Sequence, residues 1–278
     1  MTVEPVLGGL GEEYRTRPGT PMIGPYSTNQ MDDLYAALGG GQVKPTGVMN
    51  LLQKLYIAQR CEIGESVVDV CCGRGMQLPV LYRYAPHIAS YIGLDISPDN
   101  LREARDAQAR LDELNGGGPF GVVWLKHDVA RPWPELGTFD VAVYTSALEH
   151  LPRPLGVASL RHTATALRPG GRLYLSTPNT AGAPPRRLQH RVHVYEWNAD
   201  ELEPVLDDCG LLVDERVGLL SPAPDDLAQA LIAAFGPGAA AWYQRLRETV
   251  PGALLDAIVA AALPEVAAEV LYVCRRPR

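Results

Sequence analysis

From residue 66 to residue 177, short apolar runs take turns with helical segments along the chain. The segments "SVVDVC", "YIGLD", "GVVWLK", "FDVAVYT" and "GRLYLST" are apolar, bounded by turn residues and too short for helices, so they read as strands. "GMQLPVLYRYA", "SPDNLREARDAQARLDELN" and "PLGVASLRHTATALRPGG" carry helical spacing between them. Ser97 and Pro98 open the second of these as N-cap and first helical residue, and Pro169 with two glycines is expected to stop the third. Parallel strands need crossovers of about this length, so the alternation implies a mostly parallel sheet with helices on both faces.

The flanks extend the pattern. "TGVMNLLQKLYIAQR", residues 46–60, repeats apolar residues at helical spacing. "ADELEPVLDDCG" and "LLVDERVGLL" add a helix and a strand, and residues 221–265, rich in Ala and Leu, read as two or three helices. "AEVLYVCRRP" alternates like a last strand. Residues 1–45 form a Gly- and Pro-rich arm with Tyr14, Tyr26 and Tyr35 and one short helix near 29–38. The expected division is arm 1–45, core 46–220, helical insertion 221–265 and a final core strand in 266–278.

Composition removes several classes. No apolar run approaches the roughly 20 residues that cross a bilayer, and the N-terminus shows no basic-then-apolar secretion pattern. The 5 cysteines are odd in number, with only Cys71 and Cys72 adjacent and no C-x-x-C, so neither a disulfide framework nor a zinc knuckle is expected. A cytoplasmic setting fits these features. The net charge of −7 and the scarcity of lysine (Lys44, Lys54, Lys126) argue against a nucleic-acid partner.

Ligands of open parallel sheets bind beyond the carboxyl ends of the strands, where a glycine turn presents backbone N–H groups. The turn Gly73-Arg74-Gly75-Met76-Gln77 runs into Leu78, so the third glycine of the dinucleotide fingerprint is missing. Asp69 would repel a pyrophosphate there and attract an ammonium group. At this point "VVDVCCGRG" resembles the first motif of class I S-adenosylmethionine-dependent methyltransferases, with Cys71 in the first glycine position. "YIGLDIS", "KHDVA", "FDVAVYTSALEHL" and "LRPGGRLYLSTPN" resemble the motifs that follow, in order.

The resemblance implies an α/β, Rossmann-like, doubly wound sheet of seven strands, mostly parallel, with an antiparallel last strand and the helical insertion before it. It implies S-adenosyl-L-methionine as cofactor, leaving as S-adenosyl-L-homocysteine. Asp69, Cys71, Gly73 and Gly75 would surround its amino-acid end, Asp95 and Ile96 the ribose, Asp128 and Val129 the adenine, and Thr145 would end the fourth strand beside them. The vicinal cysteines then pack as small apolar groups.

Methyl transfer needs alignment, exclusion of water and, for a protonated nucleophile, a base. Glu149 and His150 in "SALEHL" are the first candidates, with His193 in the loop "PNTAGAPPRRLQHRVHVYEWN" as the third. The same loop carries Arg186, Arg187, His190, Tyr195, Glu196 and Trp197; the two arginines would clamp an acidic substrate or lie in a solvated basic loop. "LEHL" and "HRVHVYEW" also resemble the small-RNA 3′-end 2′-O-methyltransferases, which hold a divalent ion; the ligands would be Glu149, His150 and His190 or His193. Ser146 stands where that family has its first glutamate, and no metal is expected.

The reading is thus a methyltransferase acting on oxygen or nitrogen of a small molecule, a specialised metabolite being the first choice. No nucleic-acid or membrane partner is expected, and the protein would be a monomer or homodimer. The insertion would close over the acceptor as a lid or form a dimer interface, with aromatic residues of the arm and Trp242 as walls. Two rivals remain: a metal-assisted RNA 2′-O-methyltransferase, and a catalytically silent cofactor-binding regulator or assembly subunit.

Overall fold

The structure, a computed structural model, describes residues 44–182, 184–222 and 224–278. The expected arm and its short helix lie outside the described residues. Helix α1 (Pro45–Ala58) leads into β1 (Ser66–Val70), α2 (Leu78–Tyr84), β2 (Ser90–Asp95), α3 (Pro98–Asn115), β3 (Gly121–Lys126) and β4 (Phe139–Thr145). A single 3₁₀ turn (Leu148–His150), α4 (Arg153–Ala166), β5 (Leu167–Pro178), α5 (Ala199–Asp208) and β6 (Leu212–Leu220) follow. Three helices, α6 (Pro224–Phe235), α7 (Pro237–Arg247) and α8 (Gly252–Ala260), precede β7 (Glu269–Arg275).

The strands form one sheet in the order β3-β2-β1-β4-β5-β7-β6. β7 runs antiparallel to both its neighbours, while the ladders joining β3, β2, β1, β4 and β5 are parallel. The expected architecture is therefore the one the chain adopts.

Both faces of the central strands are covered, as parallel strands require. Val68, Val70, Ala142, Tyr144, Leu173 and Leu175 point into a core shared with α4 and α5. Their neighbours Val67, Val141, Val143 and Tyr174 point into a second core with α1, α2 and α3. The period of two in each strand thus sorts side chains between two layers. Ser97 caps α3 as expected, accepting from Asn100 N at 3.2 Å.

One boundary departs from the sequence reading. The helix expected to run to the glycines after Pro169 ends at Ala166, and β5 starts at Leu167. Leu167 is fully buried and pairs with Phe139, and the ladder to β4 slips between Phe139 and Val141. The "RPGG" segment is thus an irregularity within a strand and no helix stop, because core burial of Leu167 commits the chain to the sheet before Pro169 and the glycines act.

The insertion has its own apolar centre of Leu227, Leu231, Tyr243, Leu255, Val259 and Leu263. Its last helix, α8, packs on α1 and β6. Gly218 of β6 permits this seat, since a Cβ there would lie 2.0 Å from the Ala260 carbonyl oxygen.

Candidate functional site

The connections leave β1 and β4 in opposite directions across the sheet, which opens a crevice at the carboxyl ends of these adjacent strands. A cavity of about 390 Å³ lies there, lined by Cys71, Gly73, Asp95, Ile96, Asp128, Val129, Ser146 and His150 among others. Asp69, Gly75 and Thr145 are not part of its wall; next to Thr145, Ser146 takes that place. No described residue of the insertion lines it either; the main contacts described for α8 outside the insertion are with α1 and β6.

The turn after β1 explains its composition. Cys71, Gly73 and Gly75 all have positive φ, at 57°, 54° and 74°. Gly75 also backs onto Trp124, whose ring would lie 2.4 Å from a Cβ, so no side chain fits. Cys71 accepts a left-handed backbone that costs a non-glycine residue on the order of 1 kcal/mol. Burial, followed by the charges of Asp95 and Asp69, pushes its thiol up to about 12. Burial likewise raises the Cys72 thiol. Both therefore stay protonated at neutral pH and act in packing.

Asp95, buried at the end of β2, fastens this turn. Its Oδ2 accepts from Gly73 N at 2.8 Å, and its Oδ1 accepts from Ser97 N at 2.8 Å and Asn100 Nδ2 at 3.3 Å. Three of the roughly four acceptor positions of a carboxylate are thus in use. Asp128 accepts from Ala130 N at 3.1 Å and lies 3.7 Å from Arg131, forming its own turn while lining the cavity.

Asp69 lies deeper. Tyr91 donates to it at 2.6 Å. Burial nevertheless pushes its carboxyl up to about 6, against the opposing pull of Tyr91 and Lys54. Lys54, on α1, is held below the usual ammonium range by burial, against the charges of Asp69 and Glu269. Lys54 forms no close ion pair among the described residues. The sequence reading passed over Lys54, although it is one of only three lysines and sits within an apolar helical pattern.

Beyond β4, the 3₁₀ turn and the loop after β5 are stitched together. The Glu149 carbonyl accepts from Val194 N at 2.8 Å and Tyr195 N at 3.1 Å, and His150 Nδ1 faces the Val192 carbonyl at 3.3 Å. The rings of His150 and His193 lie 5.2 Å apart, and His190 stands one ring farther out, 5.4 Å from His193. One ligating atom from each of Glu149, His150 and His193 falls within 4.8 Å of the others. Of the two later histidines, His193 is therefore the one brought to Glu149 and His150.

Glu149 is almost fully buried, and Thr177 donates to it at 3.3 Å. Burial pushes its carboxyl up to about 8, with Glu269 and Glu196 adding to the rise. Glu196 behaves oppositely: burial opposes its charge, but hydrogen bonds from Thr180, Gln189 N, His193 and His190 N hold it below the usual range. Arg186 is no clamp. It pairs with Glu201 and donates to the Thr180 carbonyl, which fixes the loop.

A family model described as a methyltransferase domain matches residues 47–215, the span that builds the cavity. The chain belongs to the methyltransferase-domain family. A ubiquinone biosynthesis O-methyltransferase of Xanthomonas euvesicatoria pv. vesicatoria (strain 85-10) is 31% identical over 159 residues, covering 54% of this chain and 62% of that protein. The match thus spans less than two thirds of that relative. Among solved structures, the small RNA methyltransferase HEN1 superposes with a TM-score of 0.58 at 17% identity, over 82% of this chain and 25% of that one. The [4+2]-cyclase SpnF superposes with a TM-score of 0.54 at 18% identity, over 82% of this chain and 80% of that one. These two show that the methyltransferase fold is shared, and a cyclase among them shows how little the fold alone says about the reaction.

Proposed function

We propose that this methyltransferase binds S-adenosyl-L-methionine in the cavity beyond β1 and β4 and methylates a hydroxyl or amino group of a small molecule. The observation that carries this is the pair Asp69 and Lys54: opposite charges, the first buried and the second half-buried, with no close ion pair between them. A zwitterionic amino-acid end answers both, its ammonium to Asp69 and its carboxylate to Lys54. Asp95 and Ile96 at the end of β2 and Asp128 and Val129 after β3 then receive the nucleoside. The relatives named as O-methyltransferases favour oxygen as the acceptor atom.

When bound, the cofactor supplies a methyl group activated on a positively charged sulfur. The chain's own residues align the acceptor and take its proton. His150 faces the cavity, and Glu149, with an affinity for protons near neutral pH, sits directly behind it.

Lys54→Met tests the amino-acid end. It is expected to weaken S-adenosylhomocysteine about tenfold while leaving 5′-methylthioadenosine, which has no amino-acid end, unaffected. Equal losses for both ligands in calorimetry would remove Lys54 from this role.

A second reading rests on the cluster Glu149, His150 and His193. Two imidazoles and one carboxylate suit a borderline divalent ion better than a hard one. The His193 hydrogen bond to Glu196 is the outer support that metal-binding imidazoles commonly have. Saturable one-to-one binding of Zn²⁺, lost in His193→Ala, is the result this reading expects; absence of binding to the wild-type protein would remove it.

A further inference from the structure

β7 is antiparallel, so it enters the sheet at the edge where the parallel strands leave it. Its first residue, Glu269, pairs with Pro178 of β5 and Leu220 of β6 and is carried to the ligand edge, where it is 8% exposed. Ser146 Oγ donates to Glu269 Oε1 at 3.0 Å, and Ser176 Oγ donates to the same oxygen at 3.3 Å. Ser146 is held in a left-handed conformation, φ 50°, with its N–H on the Ser176 carbonyl at 3.0 Å. From α1, Gln53 Nε2 reaches Asn50 Oδ1 at 2.9 Å and Ser146 Oγ at 3.5 Å. Gln53 is fully buried, and its Oε1 has no partner among the described residues. Burial raises the Glu269 carboxyl above the usual carboxylate range, against the hydrogen bonds from Ser146 and Ser176; His193 and Lys54 also face it, as does Glu149.

The unfilled capacity of this group has one sign. The single proton of the Ser146 hydroxyl is committed to Glu269, so Ser146 offers the cavity only lone pairs. Gln53 Oε1 and the Glu269 carboxylate are acceptors as well. A buried acceptor without a donor is costly, so the missing groups are donors. Ser146 and His150 both line the cavity and come from the segment after β4, whereas Asp128 comes from the segment after β3.

We propose that Ser146 in the cavity wall, backed by Glu269 and Gln53, forms an electronegative subsite at the methyl-transfer end, taking an N–H- or O–H-bearing group of the acceptor, an ammonium best, and rejecting a carboxylate. The subsite rests on the cofactor reading given above. Glu269 is a positioning residue in it, acting through Ser146.

Sinefungin tests this without knowledge of the acceptor, because an amine-bearing carbon replaces the methylsulfonium and puts a donor at that point. The readout is the ratio of its dissociation constant to that of S-adenosylhomocysteine, in which any general loss of cofactor binding cancels. The wild-type protein is expected to prefer sinefungin about tenfold. Glu269→Gln, which still accepts from Ser146 but carries no charge, and Ser146→Ala are each expected to bring the ratio close to one. If Glu269→Gln does not fold, Ser146→Ala decides. No preference in the wild type, or a preference that survives in the variants, would overturn the subsite. A wild-type protein that binds neither analogue would overturn the cofactor reading, and the subsite with it.

Discussion

Asp95→Ala is expected to raise the dissociation constant for S-adenosylhomocysteine about ten- to a hundredfold, the ~1.5–3 kcal/mol of hydrogen bonds to a charged group. Two losses combine. On the proposed cofactor reading the ribose loses its carboxylate, and the glycine turn loses the acceptor that holds Gly73 N and Ser97 N against the end of β2. Calorimetry separates these from simple unfolding when paired with thermal denaturation, in which ligand should no longer raise the melting temperature. Asp95→Asn should fall short of wild type too, since one amide NH₂ would then face backbone N–H donors. An unchanged dissociation constant in Asp95→Ala would place the ribose elsewhere.

Glu149→Gln is expected to stabilise the ligand-free protein at pH 8 by on the order of a few kcal/mol, and to leave it nearly unchanged near pH 5. Burial raises the folded-state pKa of Glu149 from 4.5 to about 8, and that of Asp69 from 3.8 to about 6. For both groups the folded state holds protons more tightly than the unfolded chain. Their favourable contribution is thus complete below the ordinary carboxylate range and is lost as pH rises through the folded-state values. Wild-type stability should fall between about pH 5 and pH 8, and the neutral glutamine should flatten the upper part of that fall. Urea unfolding at both pH values measures it; parallel profiles for the two proteins would show that Glu149 ionises freely.

The strands "GVVWLK" and "FDVAVYT" occur in the structure with the bounds read from the sequence, because turn residues flank them and no helical period competes. The start of β5 was not legible in this way. Its boundary is set by the burial of Leu167 against Phe139, a tertiary contact that outweighs the local signal of Pro169 and the glycines. The cofactor half of the site follows from residues adjacent to strand ends, which is why Asp95, Gly73 and Asp128 could be named from their motifs. Lys54, Gln53 and Glu269 could not, since each meets Asp69 or Ser146 from an element far away in the chain. A carboxylate opening the otherwise apolar run "EVLYVC" was the one signal for Glu269. The choice between His190 and His193 depended on Val194 and Tyr195 docking on the Glu149 carbonyl, a contact with no local signature.

The most direct test of cofactor binding is a calorimetric titration of the purified protein with S-adenosylhomocysteine. One-to-one binding, weakened by both Asp95→Ala and Lys54→Met, is the expected result. No binding to a folded protein would contradict it, leaving Asp69 and Lys54 without a ligand and favouring a silent member of the family.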